Sequence, residues 1–342
     1  MTRAEKPILD VVNLVTSFPI KGGILKRKVG EVQAVSKVSF KIYQGETLGL
    51  VGESGCGKST VARTIVGLEK SESGHIYFNG LDLAKLSNRR MRKVRKDIQF
   101  IFQDPFASLH PKMTVKELIQ EPWEVHPEVV DRSDWDKEVM RLMEMVGLNP
   151  ASRYNYAHQF SGGQCQRICI ARALALRPKL IICDEAVSAL DVSIQAQILN
   201  LLQDLQKELG LAYLFISHDL SVVRHICDRI CVMYLGKIVE FGDRDQIFHS
   251  PSHPYTQALL SAVPVPEPWN IVERKEFILE GDIPSPANPP SGCRFRTRCW
   301  KAQEICKLED PPLNEQEEGH ASACHFAEAD KGVIPKFKET VK

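Results

Sequence analysis

The sequence predicts an α/β domain whose parallel strands are covered by helices, followed by a smaller extension rich in proline and cysteine. Three observations predict it. From Val32 to Gly242 short β-branched runs alternate with helical stretches. A glycine-rich loop ending in Lys-Ser joins one of those strands to a helix. Beyond Pro251, the prolines Pro254, Pro264, Pro266, Pro268, Pro284, Pro286, Pro289 and Pro290 exclude long regular elements. We therefore place the main domain at residues 1–250 and the extension at residues 251–342.

Thr47 to Val51, Leu180 to Cys183, Leu211 to Ser217 and Arg229 to Tyr234 read as strands. Ile194, Ile198, Leu201, Leu205 and Leu209 recur at helical spacing, with Asp191 or Ser193 as cap and Gly210 as stop, so an amphipathic helix should pack on the sheet. Residues from about 105 to 160 have a different texture, with Trp123, Trp135 and the run Met140, Met143, Met145, and read as a helical insertion. A short helix is expected over Thr256 to Val263. No internal repeat is present, so the chain holds one such domain.

The 342 residues carry 44 Lys and Arg against 43 Asp and Glu, a net charge of +1 that gives no global attraction to nucleic acid. The basic run Arg89, Arg90, Arg92, Lys93, Arg95, Lys96 reads as a solvated helix face. No stretch reaches the roughly 20 apolar residues of a membrane-spanning helix, and an N-terminus with Glu5 and Asp10 is not built as a secretory signal, so a cytosolic location is expected. Ten cysteines in such a compartment argue against a disulfide framework. Cys56, Cys165, Cys169, Cys183, Cys227 and Cys231 read as packing residues.

Gly52-Glu53-Ser54-Gly55-Cys56-Gly57-Lys58-Ser59, followed by Thr60, fits a phosphate loop between strand and helix. Its glycines let successive backbone N–H groups face a phosphate, and the helix dipole favours negative charge there. Lys58 would reach the β- and γ-phosphates of ATP, and Ser59 would hold Mg2+. Downstream, an apolar strand ends in Asp184-Glu185. Neighbouring side chains point differently, so Asp184 suits the magnesium shell and Glu185 suits polarising the attacking water. Ser161-Gly162-Gly163-Gln164 caps a further helix and offers a second anion site. One fold cannot wrap one phosphate chain with two such helix starts.

Phe160 to Gln164 resembles the signature sequence of ABC-type ATPases, which in that family contacts the γ-phosphate bound to the opposite subunit. The resemblance implies a RecA-like core with an antiparallel β subdomain and a helical subdomain, and two ATP molecules sandwiched between two cassettes. Gln103, in Phe102-Gln103-Asp104-Pro105, resembles the glutamine loop that touches Mg2+ and the attacking water. Ser188-Ala189-Leu190-Asp191 resembles the dimer-contact loop, and His218 the switch histidine at the γ-phosphate. Two positions depart from the family pattern: Ala186 stands where proline often follows the catalytic glutamate, and Phe160 where leucine is usual. The aromatic that stacks on adenine has no match between Val29 and Val35, which leaves Phe18, Tyr43 or an aliphatic contact.

Cys293, Cys299, Cys306 and Cys324 are separated by five, six and seventeen residues. Spacing alone leaves a reduced tail, a zinc site and a [4Fe-4S] cluster open, although the tight knuckles usual for zinc are missing. The tail from His253-Pro254-Tyr255-Thr256 to these cysteines is similar to the C-terminal extension of the oligopeptide and dipeptide importers. Phe18-Pro19-Ile20-Lys21-Gly22-Gly23 looks like their F-type ATPase subunit. That resemblance covers almost the whole chain. It implies a [4Fe-4S] cluster on the four cysteines, a second, D-type ATPase subunit as partner, two membrane permease subunits, a substrate-binding protein, and a place at the cytoplasmic face of the membrane.

Three function classes compete. A peptide importer ATPase fits the resemblance, and nickel, glutathione or sugar importers of the same branch use similar cassettes. Non-transport cassettes of DNA repair carry a long coiled coil between phosphate loop and signature, and those of translation carry two cassettes, whereas Lys58 and Ser161 are joined here by an ordinary helical insertion. An iron-sulfur redox protein that merely binds ATP would couple one-electron chemistry to a substrate.

Overall fold

Runs of aliphatic residues form fully buried strands, and a polar cap or a glycine bounds many of the helices between them. The computed structural model describes residues 6–22, 27–262, 277, 279 and 281–330. Glu5, Gly23, Val263, Pro264, Pro266 and Pro268 lie outside the described residues. The chain begins with β1 (Leu9–Gly22), β2 (Arg27–Ile42), β3 (Thr47–Val51), α1 (Lys58–Ile65), β4 (Ser73–Phe78) and β5 (Leu81–Asp82). It continues through α2 (Asn88–Arg95), β6 (Ile98–Ile101), α3 (Pro105–Ser108), α4 (Val115–Val125), α5 (Trp135–Met145), α6 (Gly162–Leu174) and β7 (Leu180–Asp184). Then follow α7 (Val192–Leu209), β8 (Ala212–Ser217), α8 (Leu220–Ile226), β9 (Arg229–Tyr234), β10 (Lys237–Asp243), α9 (Arg244–His249), α10 (Pro254–Ser261), α11 (Ile305–Leu308), β11 (Asn314–Glu317) and β12 (His320–Ser322).

The chain divides into two compact units. One contains residues 1–9, 41–47 and 77–217. In it β7 runs parallel to β6, with Ile98 opposite Leu180, and parallel to β8, with Asp184 opposite Ile216. Every residue of β7 and β8 is buried, which is why both read as continuous apolar runs rather than alternating ones. The expected insertion is helical. Thr114 opens α4 with a capping box to Glu117, and buried Trp123 donates from Nε1 to the Ala175 carbonyl at 2.8 Å. The amphipathic helix is α7, closed by Gly210 at φ 64°. Its buried stripe is Ile198, Leu199, Leu202 and Leu205, rotated from the expected one, and Leu209 is exposed.

The other unit contains residues 10–40, 48–76 and 218–342. β3 pairs in parallel with β9, Leu48 opposite Arg229, and β10 returns antiparallel to β9. The extension adds its own strands to this sheet: β12 pairs antiparallel with β10 and β11 with β12. Residues on both sides of Ser250 thus belong to one unit. Glu240 of β10 is fully buried and explains the join. Its carboxylate accepts the backbone N–H groups of Ser252 and His253 at 2.6 and 3.0 Å, and Oε1 lies 2.7 Å from Nε2 of His320 in β12.

Candidate functional site

The predicted site residues fall into both units. In the unit that holds β3, the strand ends at Val51 and the loop from Gly52 to Gly57 turns into α1. Gly52 and Gly57 have φ of 150° and 108°, conformations that side-chain-bearing residues avoid. A Cβ on Gly57 would also stand 2.1 Å from the Ala34 carbonyl oxygen. Lys58 is buried and folds back over the loop, donating from Nζ to the carbonyls of Gly52 at 2.7 Å and Glu53 at 3.0 Å. Its ammonium is 3.8 Å from the sulfur of Cys56, whose thiol burial pushes up and keeps protonated. Ser54 and Gly55 are exposed, and Ser59 and Thr60 form the first turn of α1. His218 is exposed in the same unit, directly after β8.

The unit that holds β7 carries the acids. Asp184, 5% exposed, is the last residue of the strand, and Glu185 leaves it with φ 51°, a left-handed conformation that costs about 1–3 kcal/mol. Hydrogen bonds hold that turn. The Glu185 N–H donates to Ile216 O at 2.9 Å, and the Glu185 carbonyl accepts from Ser188 Oγ at 2.9 Å. Gln103 donates from Nε2 to Oε2 of Glu185 at 2.8 Å, so two residues eighty-two apart in sequence meet as a pair. The turn Ser188, Ala189, Leu190, Asp191 leads into α7, and Gln195 Nε2 anchors it at the Val187 carbonyl, 2.9 Å away.

Ser161 caps α6 as expected and forms a capping box. Gln164 N–H donates to its hydroxyl at 3.4 Å, and the Ser161 N–H donates to Oε1 of Gln164 at 3.0 Å. Ser161 and Gln164 are exposed, whereas Gly163 is buried and a Cβ there would meet Cγ2 of Ile194 at 2.5 Å. Gly163 therefore serves the packing of α6 on α7, a reason the sequence alone does not reveal.

Cys293, Cys299, Cys306 and Cys324 line one small cavity together with His253, Phe295, Arg296, Lys301 and His325. Burial pushes the thiols of Cys293 and Cys299 up to about 11 and about 12, and that of Cys324 up as well. Backbone N–H groups of Phe295 and Arg296 reach Cys293, that of Lys301 reaches Cys299, and that of Phe326 reaches Cys324 at 3.3 Å. Among the described residues, no group of three or more His, Cys, Asp or Glu is placed to hold a metal ion.

Sequence reasoning missed the environment of Glu53. Its carboxylate takes a bidentate pair from Arg298 at 2.8 and 3.1 Å, and its N–H donates to the Tyr255 hydroxyl oxygen at 2.9 Å. Glu53 occupies a variable position of the motif, so no spacing signals these partners.

The family described as ABC transporter matches residues 35–188, and the one described as oligopeptide/dipeptide transporter, C-terminal region, matches residues 239–306. The first match spans phosphate loop, Gln103, signature and acids; the second ends at Cys306, short of Cys324. The chain is 54% identical to an oligopeptide transport ATP-binding protein, AppF, of Bacillus subtilis, over 95% of this chain and 99% of that one. It is 52% identical to oligopeptide transport ATP-binding protein OppF of Escherichia coli, over 92% and 94%. Among solved structures, it resembles the dimeric post-hydrolysis state of the ATP-binding cassette MJ0796 bound to ADP and Pi. That match has a TM-score of 0.61 and 28% identity, and covers 69% of this chain and 98% of that one.

Proposed function

The chain belongs to the ABC transporter ATP-binding proteins of the oligopeptide transport type, and from that membership we propose that it binds and hydrolyses ATP to drive peptide uptake by partner membrane subunits. The observation that carries this reading is the phosphate loop itself, with Lys58 buried over it at the start of α1. Backbone N–H groups from Gly55 to Thr60 take the phosphates, and Lys58 exchanges its loop carbonyls for β- and γ-oxygens. Ser59 in one unit, and Gln103 and Asp184 in the other, each carry an oxygen of the kind that Mg2+ prefers, and the ion when bound would neutralise charge on the phosphates. Glu185 accepts a proton from the attacking water while Gln103 orients its carboxylate, and His218 holds the γ-phosphate.

Ser161 and Gln164 stand exposed at the start of α6, where they would complete a partner's site, and Ser188 to Asp191 would meet the same partner. We take that partner to be a second, D-type cassette. Two permease subunits and a substrate-binding protein complete the importer, and the permeases hold the chain at the cytoplasmic face of the membrane. No helix among the described residues is long and apolar enough to cross a membrane. The four cysteines would each hold one corner of a [4Fe-4S] cluster, which when bound supplies a rigid cross-link of the extension. The chemistry of the donors supports this. The sulfurs of Cys293, Cys299 and Cys324 receive backbone N–H groups, and Arg296 and Lys301 line the same cavity with positive charge.

The test is ATP turnover by the full chain purified with whatever subunits accompany it from the membrane. We expect Mg2+-dependent hydrolysis, and a Glu185→Gln variant that still binds ATP but turns over about 10²–10⁴-fold more slowly. Hydrolysis at the parent rate by that variant would remove Glu185 from its role, and recovery of ribosomes or DNA in place of permeases would refute transport.

A further inference from the structure

Each polar group of Glu53, inside the phosphate loop, is held. The carbonyl accepts from Lys58 Nζ at 3.0 Å, the N–H donates to Tyr255 at 2.9 Å, and the carboxylate accepts both terminal nitrogens of Arg298 at 2.8 and 3.1 Å. Only the first partner belongs to the loop. Tyr255 and Arg298 lie 202 and 245 residues downstream in the C-terminal extension. The Arg298 side chain is 7% exposed and that of Glu53 23%, so the pair is largely shielded from water.

Both partners are themselves fixed. Tyr255 is fully buried, its ring centroid 4.7 Å from Tyr234 and 5.4 Å from Phe295, and its N–H is capped by His253 Nδ1 at 3.0 Å. Phe295 lies between Cys293 and Cys299 in sequence, and Arg298 directly precedes Cys299. Arg294, next to Cys293, reaches back to Gln33 Oε1 at 3.0 Å and Ser36 Oγ at 2.9 Å in β2. The cysteine-bearing segment thus holds the surroundings of the phosphate loop at several points.

A carboxylate is an adverse neighbour in a loop built to attract phosphates, because it opposes the incoming charge. Arg298 cancels that charge with a planar, bidentate fit that needs little further ordering. The grip also matters when nucleotide arrives. Lys58 must then turn from the Gly52 and Glu53 carbonyls to the phosphates, and within the loop the Glu53 carbonyl keeps the Cys56 N–H at 3.3 Å. The contacts from Tyr255 and Arg298 are untouched by that exchange and keep the loop in its binding shape.

We propose that Arg298 and Tyr255 are positioning residues of the nucleotide site: they fix Glu53 and neutralise it, so that the extension sets the affinity of the phosphate loop for ATP. This rests on the reading of Gly52 to Ser59 as the ATP cradle. Charge makes the signature specific. Removing Arg298 alone leaves Glu53 bare beside the phosphates, whereas removing both charges relieves the repulsion.

The experiment titrates the full chain in Mg2+ with a fluorescent N-methylanthraniloyl ATP, and follows thermal unfolding without nucleotide. Arg298→Met should weaken binding about tenfold, Glu53→Gln/Arg298→Met should recover to within about threefold of the parent, and Tyr255→Phe should weaken it about threefold. Binding by Arg298→Met as tight as the parent, or a double variant no tighter than Arg298→Met, overturns the proposal. If Arg298→Met does not fold, Tyr255→Phe decides, and parent-like affinity there overturns it. Lys58→Ala separates the two readings. Parent-like binding by that variant refutes the ATP cradle itself; binding lost there but unchanged in the Arg298 and Tyr255 variants refutes only the positioning role.

Discussion

Nε2 of Gln103 lies 2.8 Å from Oε2 of Glu185, so the residue two beyond β6 orients the residue that follows β7. β6 and β7 are adjacent parallel strands, and their C-terminal ends deliver both side chains to one place. This is the side at which open parallel sheets bind ligands. The amide cannot take up a proton, so it aligns the carboxylate without competing for the role of base proposed for Glu185.

Gln103→Ala should therefore act on the chemical step. We expect kcat to fall about 10–100-fold, with ATP affinity changed less than about threefold, because a misaligned base loses part of its general-base contribution. Steady-state hydrolysis and nucleotide titration of the same preparation separate the two constants. An unchanged kcat would mean that the pair is only a resting contact.

Gly163 offers a test of packing. A methyl group there meets Cγ2 of Ile194 at 2.5 Å, a distance at which the Ile194 side chain or one of the two helices must shift. Gly163→Ala should lower stability by about 1–3 kcal/mol, measured as a shift in the urea midpoint. Ile194→Ala removes the obstructing atom, so the double variant should be more stable than Gly163→Ala alone. If Gly163→Ala is as stable as the parent, the tight approach of the two helices is not real.

The local geometry of the candidate site was legible in the residues because it depends on local order: a loop between strand and helix, two acids at a strand tip, a serine cap before two glycines. The strands Thr47–Val51 and Arg229–Tyr234 stand where the apolar runs predicted them. What stayed hidden depends on contacts between distant residues. The stripe of α7 is rotated because the apolar set includes Leu199 and Leu202. The extension joins the sheet because buried Glu240 recruits the Ser252 and His253 N–H groups and His320, which no local pattern announces. Arg298 reads as one more charge in a polar tail until Glu53 is seen beside it.

The cysteine cavity gives a spectroscopic prediction. Anaerobically purified chain should show broad visible absorption from sulfur-to-iron charge transfer, and Cys299→Ser and Cys306→Ser should each lose most of it. Iron and acid-labile sulfide, measured on the same samples, should fall together. A colourless, iron-free parent chain would show that the four thiols line a reduced cavity and hold no cluster.

His253 should make the extension acid-sensitive. Its Nδ1 accepts the Tyr255 N–H at 3.0 Å and so caps α10, a role that only the unprotonated nitrogen can fill. The ring is 1% exposed beside Phe295, and burial lowers its pKa from 6.5 to about 4, although Glu240 nearby pulls the other way. An unfolded chain protonates this histidine near pH 6.5, while the folded chain resists down to about pH 4. Above pH 6.5 the stabilisation is complete, and it declines as pH falls from 6.5 towards 4, by at most about 3 kcal/mol. His253→Asn keeps an acceptor at the cap and removes the titration. Urea midpoints at pH 7.5 and pH 5 should therefore fall further for the parent than for the variant, and equal losses would show that His253 does not carry the acid sensitivity. Because carboxylates elsewhere titrate alike in both proteins, the difference between the two slopes isolates this one ring.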